Sequence, residues 1–215
     1  MEKHYNLFCK QISELIDDYP NLEVKQDNGK KYLKGILDIP NDSGQISGNF
    51  LVEIHYSPLF PYRFPILFEI GGDIENTADW HKYPNGQCCI TATPDEISKS
   101  KHGISIRDFI RNYCISFFAN HIHRLLTGNY KNGEYLHGID GLKQFYTELF
   151  NTNNLDVMLS YINYVFLKKE FNTKRNDSCF CNSQIKFKYC HLNIFKEMIE
   201  IGYQQMINDL KLIYT

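Results

Sequence analysis

The sequence predicts an α+β fold on three observations: one amphipathic segment opens the chain, four strand-like segments split by turn residues follow, and helical periodicity then runs to the end. In the first segment Tyr5, Phe8, Ile12, Leu15, Ile16 and Tyr19 recur at helical spacing until Pro20 stops the pattern. Residues 22–26, 32–39 and 46–56 read as strands. Asn28-Gly29 and Asn41-Asp42-Ser43-Gly44 are the turns between them, which predicts an antiparallel meander. A fourth strand over 66–70 comes after Pro58, Pro61 and Pro65. Each proline lacks an amide donor, so that approach is expected to be an extended crossing.

Between 71 and 103 periodicity is lost, and a loop that long inside a domain is commonly functional. Ser105 and Asp108 are spaced as a helix cap. Ile106, Phe109, Ile110, Tyr113, Phe117, Ile122 and Leu125 then mark one helical face as far as Gly128. A loop through Glu134-Tyr135-Leu136-His137-Gly138 leads to a helix over 141–150, expected to close the first domain. Leu155, Met158, Leu159, Ile162 and Phe166 mark a further helix, and a last one is expected over about 194–214. The expected organisation is a main domain over 1–150, a helical connector over 151–175, a cysteine-rich knuckle over 176–192 and a C-terminal helix over 193–215.

Composition narrows the function classes. With 215 residues, 15 Tyr and 15 Phe, the chain has material for a normal core. A formal net charge of -2 argues against an electrostatic nucleic-acid binder, and the basic residues from Lys168 to Arg175 read as a solvated helix end. No segment offers the roughly 20 apolar residues that span a bilayer, and residues 1–10 do not read as a signal peptide. Seven cysteines, an odd number and unevenly placed, fit thiol and metal chemistry in a reducing cytoplasm better than a disulfide framework.

The segment His81-Lys82-Tyr83-Pro84-Asn85-Gly86-Gln87-Cys88-Cys89-Ile90 carries the chemistry. A thiolate is both a good nucleophile and a good leaving group, so a loop cysteine can accept an acyl group as a thioester and pass it on. Gly86 supplies a tight turn just before it. Cys9, Cys88 and Cys114 read instead as small buried apolar residues. His137 reads as a residue ordering its turn, and His102, Asp95 and Asp108 have no defined relation to Cys89.

The order of a helix, a four-stranded meander, the crossing Tyr56-Ser57-Pro58-Leu59-Phe60-Pro61, a histidine and then Gly86-x-x-Cys89-Ile90 resembles the ubiquitin-conjugating (UBC) fold over residues 1–150. In that register Cys88 takes an apolar position and Cys89 the nucleophile position. The eukaryotic His-Pro-Asn triplet is missing, and His81-Lys82-Tyr83 stands nearer the cysteine. The resemblance therefore supplies no oxyanion asparagine, and Asn85 and His81 are the nearest candidates. The spacing of His81, Pro84 and Gly86, with Gly133-Glu134 and His137-Gly138, is similar to bacterial relatives in antiphage operons of CBASS type. The resemblance implies a conjugating transferase acting on a protein. That protein is expected to be a cyclic-oligonucleotide synthase (CD-NTase), with a bacterial ubiquitin-like modifier as the alternative and a non-catalytic adaptor as a further one. Since the chain has no nucleotide-binding loop, activation is expected to come from a separate activating enzyme, or the acyl donor to arrive by another route. Backbone amides of residues 86–90 are expected to stabilise the oxyanion.

Near the C-terminus, Cys179, Cys181, Cys190 and His191 form a Cys3His set, a standard closed ligand set for structural Zn2+. Asn176, Asp177, Ser183, Phe187 and Lys188 complete a resemblance to the SEC-C motif. Asn182 and Gln184 replace its two glycines, and the second replacement is expected to strain the turn.

Overall fold

The computed structural model describes residues 2–131, 136–167, 173–181 and 183–215. It divides into two compact units, Met1–Thr91 with Lys99–Tyr135, and Ala92–Ser98 with Leu136–Thr215.

Unit 1 is built on the meander. Strands β1 (Leu22–Asp27), β2 (Lys30–Pro40), β3 (Ile46–His55) and β4 (Ile66–Glu69) form one antiparallel sheet in chain order. Asn28 and Gly29 both take positive φ, 47° and 76°, as a two-residue hairpin turn requires for strands of right-handed twist. Period-two alternation sends Leu33, Leu37, Ile39, Val52 and Ile54 to one face, where they are fully buried. Helix α1 (Glu2–Glu14) lays Phe8 and Ile12 into that cluster. It is shorter than the periodicity implied: hydrogen bonding turns tight after Glu14, although Leu15, Ile16 and Tyr19 still pack on the core.

The expected loop over 71–103 contains more structure than its composition suggested. A 3-10 turn spans Ala78–Trp80, and α2 covers Thr93–Ser100. Pro94 near the start and Asp95 and Glu96 in the first turn are helix-start signals that the surrounding Ser and Gly residues obscured. Next come α3 (Ile106–Phe109), a π turn (Ile110–Cys114) and α4 (Ile115–Thr127). The expected cap is present: the Asp108 amide donates to Ser105 Oγ at 3.0 Å, and Gly128 ends α4 at φ 81°. Phe118 of α4 stacks on Phe50 of β3 with ring centroids 4.4 Å apart.

At the end of β4 lies a buried ion pair. Glu69 is 2 % exposed and Lys82 is 3 % exposed. The Lys82 ammonium donates to Glu69 Oε2 and, at 2.9 Å, to the Ile74 carbonyl. Glu69 Oε1 accepts the Gly72 amide at 2.8 Å and the Asp73 amide at 3.4 Å. The chain from 69 to 82 is thus a loop drawn shut at its neck. Both charges carry further hydrogen bonds, which offsets the cost of desolvating them.

Unit 2 is helical, with α5 (Gly138–Phe150), α6 (Leu155–Phe166), α7 (Leu192–Ile201) and α8 (Tyr203–Tyr214). Asp209 of α8, nearly buried, accepts the Tyr146 hydroxyl of α5 and the Gln205 amide, each at 2.8 Å. The expected domain boundary at 150 therefore falls inside this bundle: α5 packs with α8. The single helix expected over about 194–214 is two helices, broken at Gly202, whose φ of 90° and ψ of 150° are not helical. Glu134 and Tyr135 lie outside the described residues. In the same stretch Gly141 is obligatory, because a Cβ there would sit 2.0 Å from the Leu136 carbonyl oxygen.

Replacing Lys82 by Met strands a buried carboxylate, and is expected to destabilise unit 1 by about 3–5 kcal/mol in urea denaturation. Adding Glu69→Gln to Lys82→Met should recover a large part of that loss.

Candidate functional site

The cysteine loop is organised by backbone bonds. Residues Tyr83 to Gly86 make a turn, with the Gly86 amide on the Tyr83 carbonyl at 2.9 Å. Gly86 has φ 85°, the left-handed conformation that glycine adopts without a Cβ penalty, and its carbonyl accepts the Glu69 amide at 3.2 Å. The chain then returns antiparallel to itself. Lys82 bridges Cys88, the Cys88 amide donates to Leu67 O at 2.8 Å, and the Cys89 amide donates to His81 O at 2.8 Å.

These contacts separate the two adjacent thiols. Cys88 is 6 % exposed, and burial pushes its thiol up to about 12, far from the thiolate range. Cys89 points the other way along the extended segment and is half-buried. Cys114 is fully buried and its thiol is raised well above its ordinary value by burial, whereas Cys9 is half-buried.

The expected oxyanion amides are not available as a set. Those of Gly86, Cys88 and Cys89 bond to carbonyls, and that of Gln87 donates to Asn85 Oδ1 at 3.1 Å. An amide committed to a protein acceptor is not a preorganised donor for developing charge. Asn85 is exposed, and with Oδ1 on the Gln87 amide its Nδ2 is the donor end. Asp108 is engaged with Ser105.

His81 is left-handed at φ 49°, and its ring lies edge-on to Tyr130 and His121, with centroids 5.4 Å and 6.4 Å away. His121, on α4, was not singled out by sequence because one histidine on an apolar helical face gives no distinguishing signal. It is 1 % exposed. Its Nδ1 is 2.8 Å from Phe117 O, and its Nε2 is 3.0 Å from Trp80 O and 3.2 Å from the Tyr130 hydroxyl. Arg124 donates to Asp79 O and to the Tyr130 hydroxyl, and its guanidinium lies 4.1 Å over the Trp80 ring. Burial holds the His121 imidazole below its ordinary value, and the charges of Arg124 and Lys82 add to this.

The second site lies within unit 2. A short antiparallel bridge, Ser178 to Lys186, brings the two ends of the knuckle together, with the Cys179 amide on Ile185 O at 2.8 Å and the Phe187 amide on Asp177 O at 2.8 Å. Asp177 also accepts the Lys174 amide at 2.8 Å. A 3-10 turn, Phe187–Tyr189, then presents Cys190 and His191.

The ligand atoms of Cys179, Cys181, Cys190 and His191 all lie within 4.8 Å of one another. Cys181 Sγ is 3.6 Å from Cys190 Sγ, and His191 Nδ1 is 3.2 Å from Cys179 Sγ and 3.0 Å from Cys190 Sγ. Four donors at metal–sulfur distances of about 2.3 Å in a tetrahedron stand about 3.8 Å apart, so the cluster fits a metal ion such as zinc with little movement. Against burial, which raises it, the Ser183 hydroxyl and amide bring the Cys181 thiol down to about 7, while burial puts Cys179 at about 11. Burial also lowers His191, which favours the neutral imidazole a metal needs.

Aromatic rings fix this cluster to the helices. His191 packs edge-on to Tyr161 of α6 at 4.9 Å, and Phe180 stacks on Tyr164 at 4.3 Å and contacts Phe195 of α7 at 5.0 Å. Gln184, in the second glycine position, has φ 62°, the strain expected of it; Asn182 lies outside the described residues. The model of the SEC-C motif matches residues 175–193. No curated protein and no solved structure matches the chain. Among the described residues no helix is long and apolar enough to cross a membrane.

Cys190→Ser is expected to lower the metal-to-protein ratio, read by elemental analysis, and to weaken hydrogen-exchange protection in α6 and α7 while leaving β1–β4 unchanged. Gln184→Gly should relieve the left-handed strain and raise the melting temperature of the metal-loaded protein, by up to about 1 kcal/mol in stability. Because the folded His121 takes a proton at lower pH than the unfolded chain does, stability should fall as pH drops below about 6.5. His121→Phe removes that contribution, so its melting temperature should depend less on pH over the same range.

Proposed function

We propose that the chain is a UBC-like acyl carrier that uses Cys89 as a thioester nucleophile, and that it also carries a zinc-stapled helical unit. The observation that carries this reading is the contrast at the adjacent pair: Cys88 is buried with its thiol held protonated, and Cys89 is only partly buried after the Gly86 turn. The order of α1, a four-stranded meander, a prolyl crossing and then the Gly86–Cys89 loop supports it as the arrangement that the resemblance implies.

In this reading the Cys89 thiolate attacks the carbonyl of an activated protein C-terminus. The bond to the activating group breaks, and that group leaves with the electron pair. The acceptor nucleophile then displaces the Cys89 thiolate and takes the acyl group. With the amides of 86–89 committed, Asn85 Nδ2 is the side-chain donor best placed by sequence to meet the developing oxyanion. A CD-NTase is the proposed protein partner and a bacterial ubiquitin-like modifier the alternative, each activated by a separate enzyme or supplied already activated. The Cys3His site is proposed to hold structural Zn2+, since four protein ligands leave no open position for substrate.

The test uses a synthetic peptide thioester ending in Gly-Gly as acyl donor. Exchange should form a thiol-sensitive adduct that peptide mapping places on Cys89 and not on Cys88. Cys89→Ala should abolish it, and Cys89→Ser should replace it with a thiol-resistant ester formed more slowly. An undiminished adduct on the Cys89→Ala protein would sink the carrier reading.

A further inference from the structure

We propose that His121, together with Tyr130, is a positioning residue for Cys89, acting through the Trp80–His81 segment. This rests on the carrier reading of Cys89. A neutral imidazole carries one N–H, and a carbonyl only accepts. His121 nevertheless presents Nδ1 to Phe117 O at 2.8 Å and Nε2 to Trp80 O at 3.0 Å. One neutral tautomer cannot donate to both, and in this buried, positively flanked position the neutral form is favoured.

The Tyr130 hydroxyl, 3.2 Å from Nε2, gives that nitrogen a second partner. With the proton on Nδ1, His121 donates to Phe117 O and Nε2 accepts the Tyr130 O–H. With the proton on Nε2, His121 donates to Trp80 O and the Tyr130 O–H turns to Asp79 O, 3.3 Å away. Arg124 fixes the Tyr130 oxygen in both arrangements, at 3.0 Å. Only the second arrangement bonds His121 to Trp80 O, and in it His121 and Tyr130 together hold the end of the Ala78–Trp80 turn. The residue so held is followed by His81, whose left-handed backbone aims its carbonyl at the Cys89 amide. A shift at Trp80 is carried through one residue into the register of the nucleophile, and such shifts cost rate steeply.

The experiment compares His121→Phe, His121→Gln and Tyr130→Phe with the parent protein. Two site-resolved rates are read by mass spectrometry: iodoacetamide alkylation of Cys89 and of Cys9, and acyl exchange of Cys89 with the Gly-Gly peptide thioester. His121→Phe fills the space and removes both nitrogens. It should slow acyl exchange about tenfold or more while leaving the Cys9 rate unchanged. His121→Gln, which keeps a donor and an acceptor, should recover most of that loss, and Tyr130→Phe should fall between them.

If His121 merely filled the core, Phe would be tolerated as well as Gln, and Cys89 would change only in step with Cys9; either result overturns the proposal. Alkylation needs no thioester chemistry. A parent protein that fails to exchange, but whose Cys89 alkylation is ordered Gln above Phe, removes the carrier reading and leaves the positioning role in place.

Discussion

The buried pair of Glu69 and Lys82 is the constraint on which the cysteine loop depends. Glu69 ends β4 and Lys82 lies on the arm that faces Cys88, so this electrostatic contact helps join the sheet to the segment that carries Cys89. The pair lies away from water, where removing one partner costs far more than the intact pair contributes. Its geometry is therefore restrictive: Lys82 has to stay on Glu69, and the neighbouring backbone at His81 then has to face Cys89. Gly86 answers the same demand from the other side, since a Cβ there would stand 3.3 Å from the Glu69 carbonyl oxygen. Thiol exposure follows from this clamp. With Lys82 fixed against Cys88, alternation along the extended segment buries Cys88 and turns Cys89 outward.

The second unit solves a different problem. Four short helices of this size provide a limited core, and small scaffolds commonly add a staple. Here the apolar core is supplemented by the Tyr146–Asp209 bond and by a Cys3His cluster whose imidazole is enclosed by Tyr161, Phe180 and Phe195. A metal held by this cluster would be linked to helix packing, because two of the rings around His191, Tyr161 and Phe195, belong to α6 and α7. The turn at Gln184 carries strain in that arrangement.

What the sequence made legible follows from how local each signal is. The meander was readable to within about a residue or two at most strand ends, because Asn28-Gly29 and the alternation of Leu33 to Ile39 act over neighbouring positions. The cluster of Cys179, Cys181, Cys190 and His191 was readable because the side-chain types and spacing of a metal-compatible set are themselves the signal. The helix over 93–100 was hidden, since its two serines and the glycines and serine around it outweigh Pro94 and one turn of acidic residues in a pattern reading. The break at Gly202 was overlooked for the opposite reason: apolar periodicity on both sides concealed one residue with non-helical angles. The Glu69–Lys82 pair and His121 could not be seen at all. Their roles come from contacts between residues 13 and 41 positions apart, which no local pattern encodes.

The same non-local contacts change how the oxyanion question must be put. A glycine-bearing loop before a cysteine suggests free amides, and the fold commits those of residues 86 to 89 to carbonyls or to Asn85. In the carrier reading proposed above, a donor for negative charge near Cys89 would then be the Ile90 amide, a side chain, or a group that comes with a partner. Asn85 fits the second case and is tied down at one end by the amide of Gln87, which reduces the entropy lost when its other end binds. His81 fits poorly, because its ring packs against Tyr130 and His121 and its carbonyl is spent on the Cys89 amide. His81 contributes geometry, through its left-handed backbone, and the chemical donor is more economically sought at Asn85.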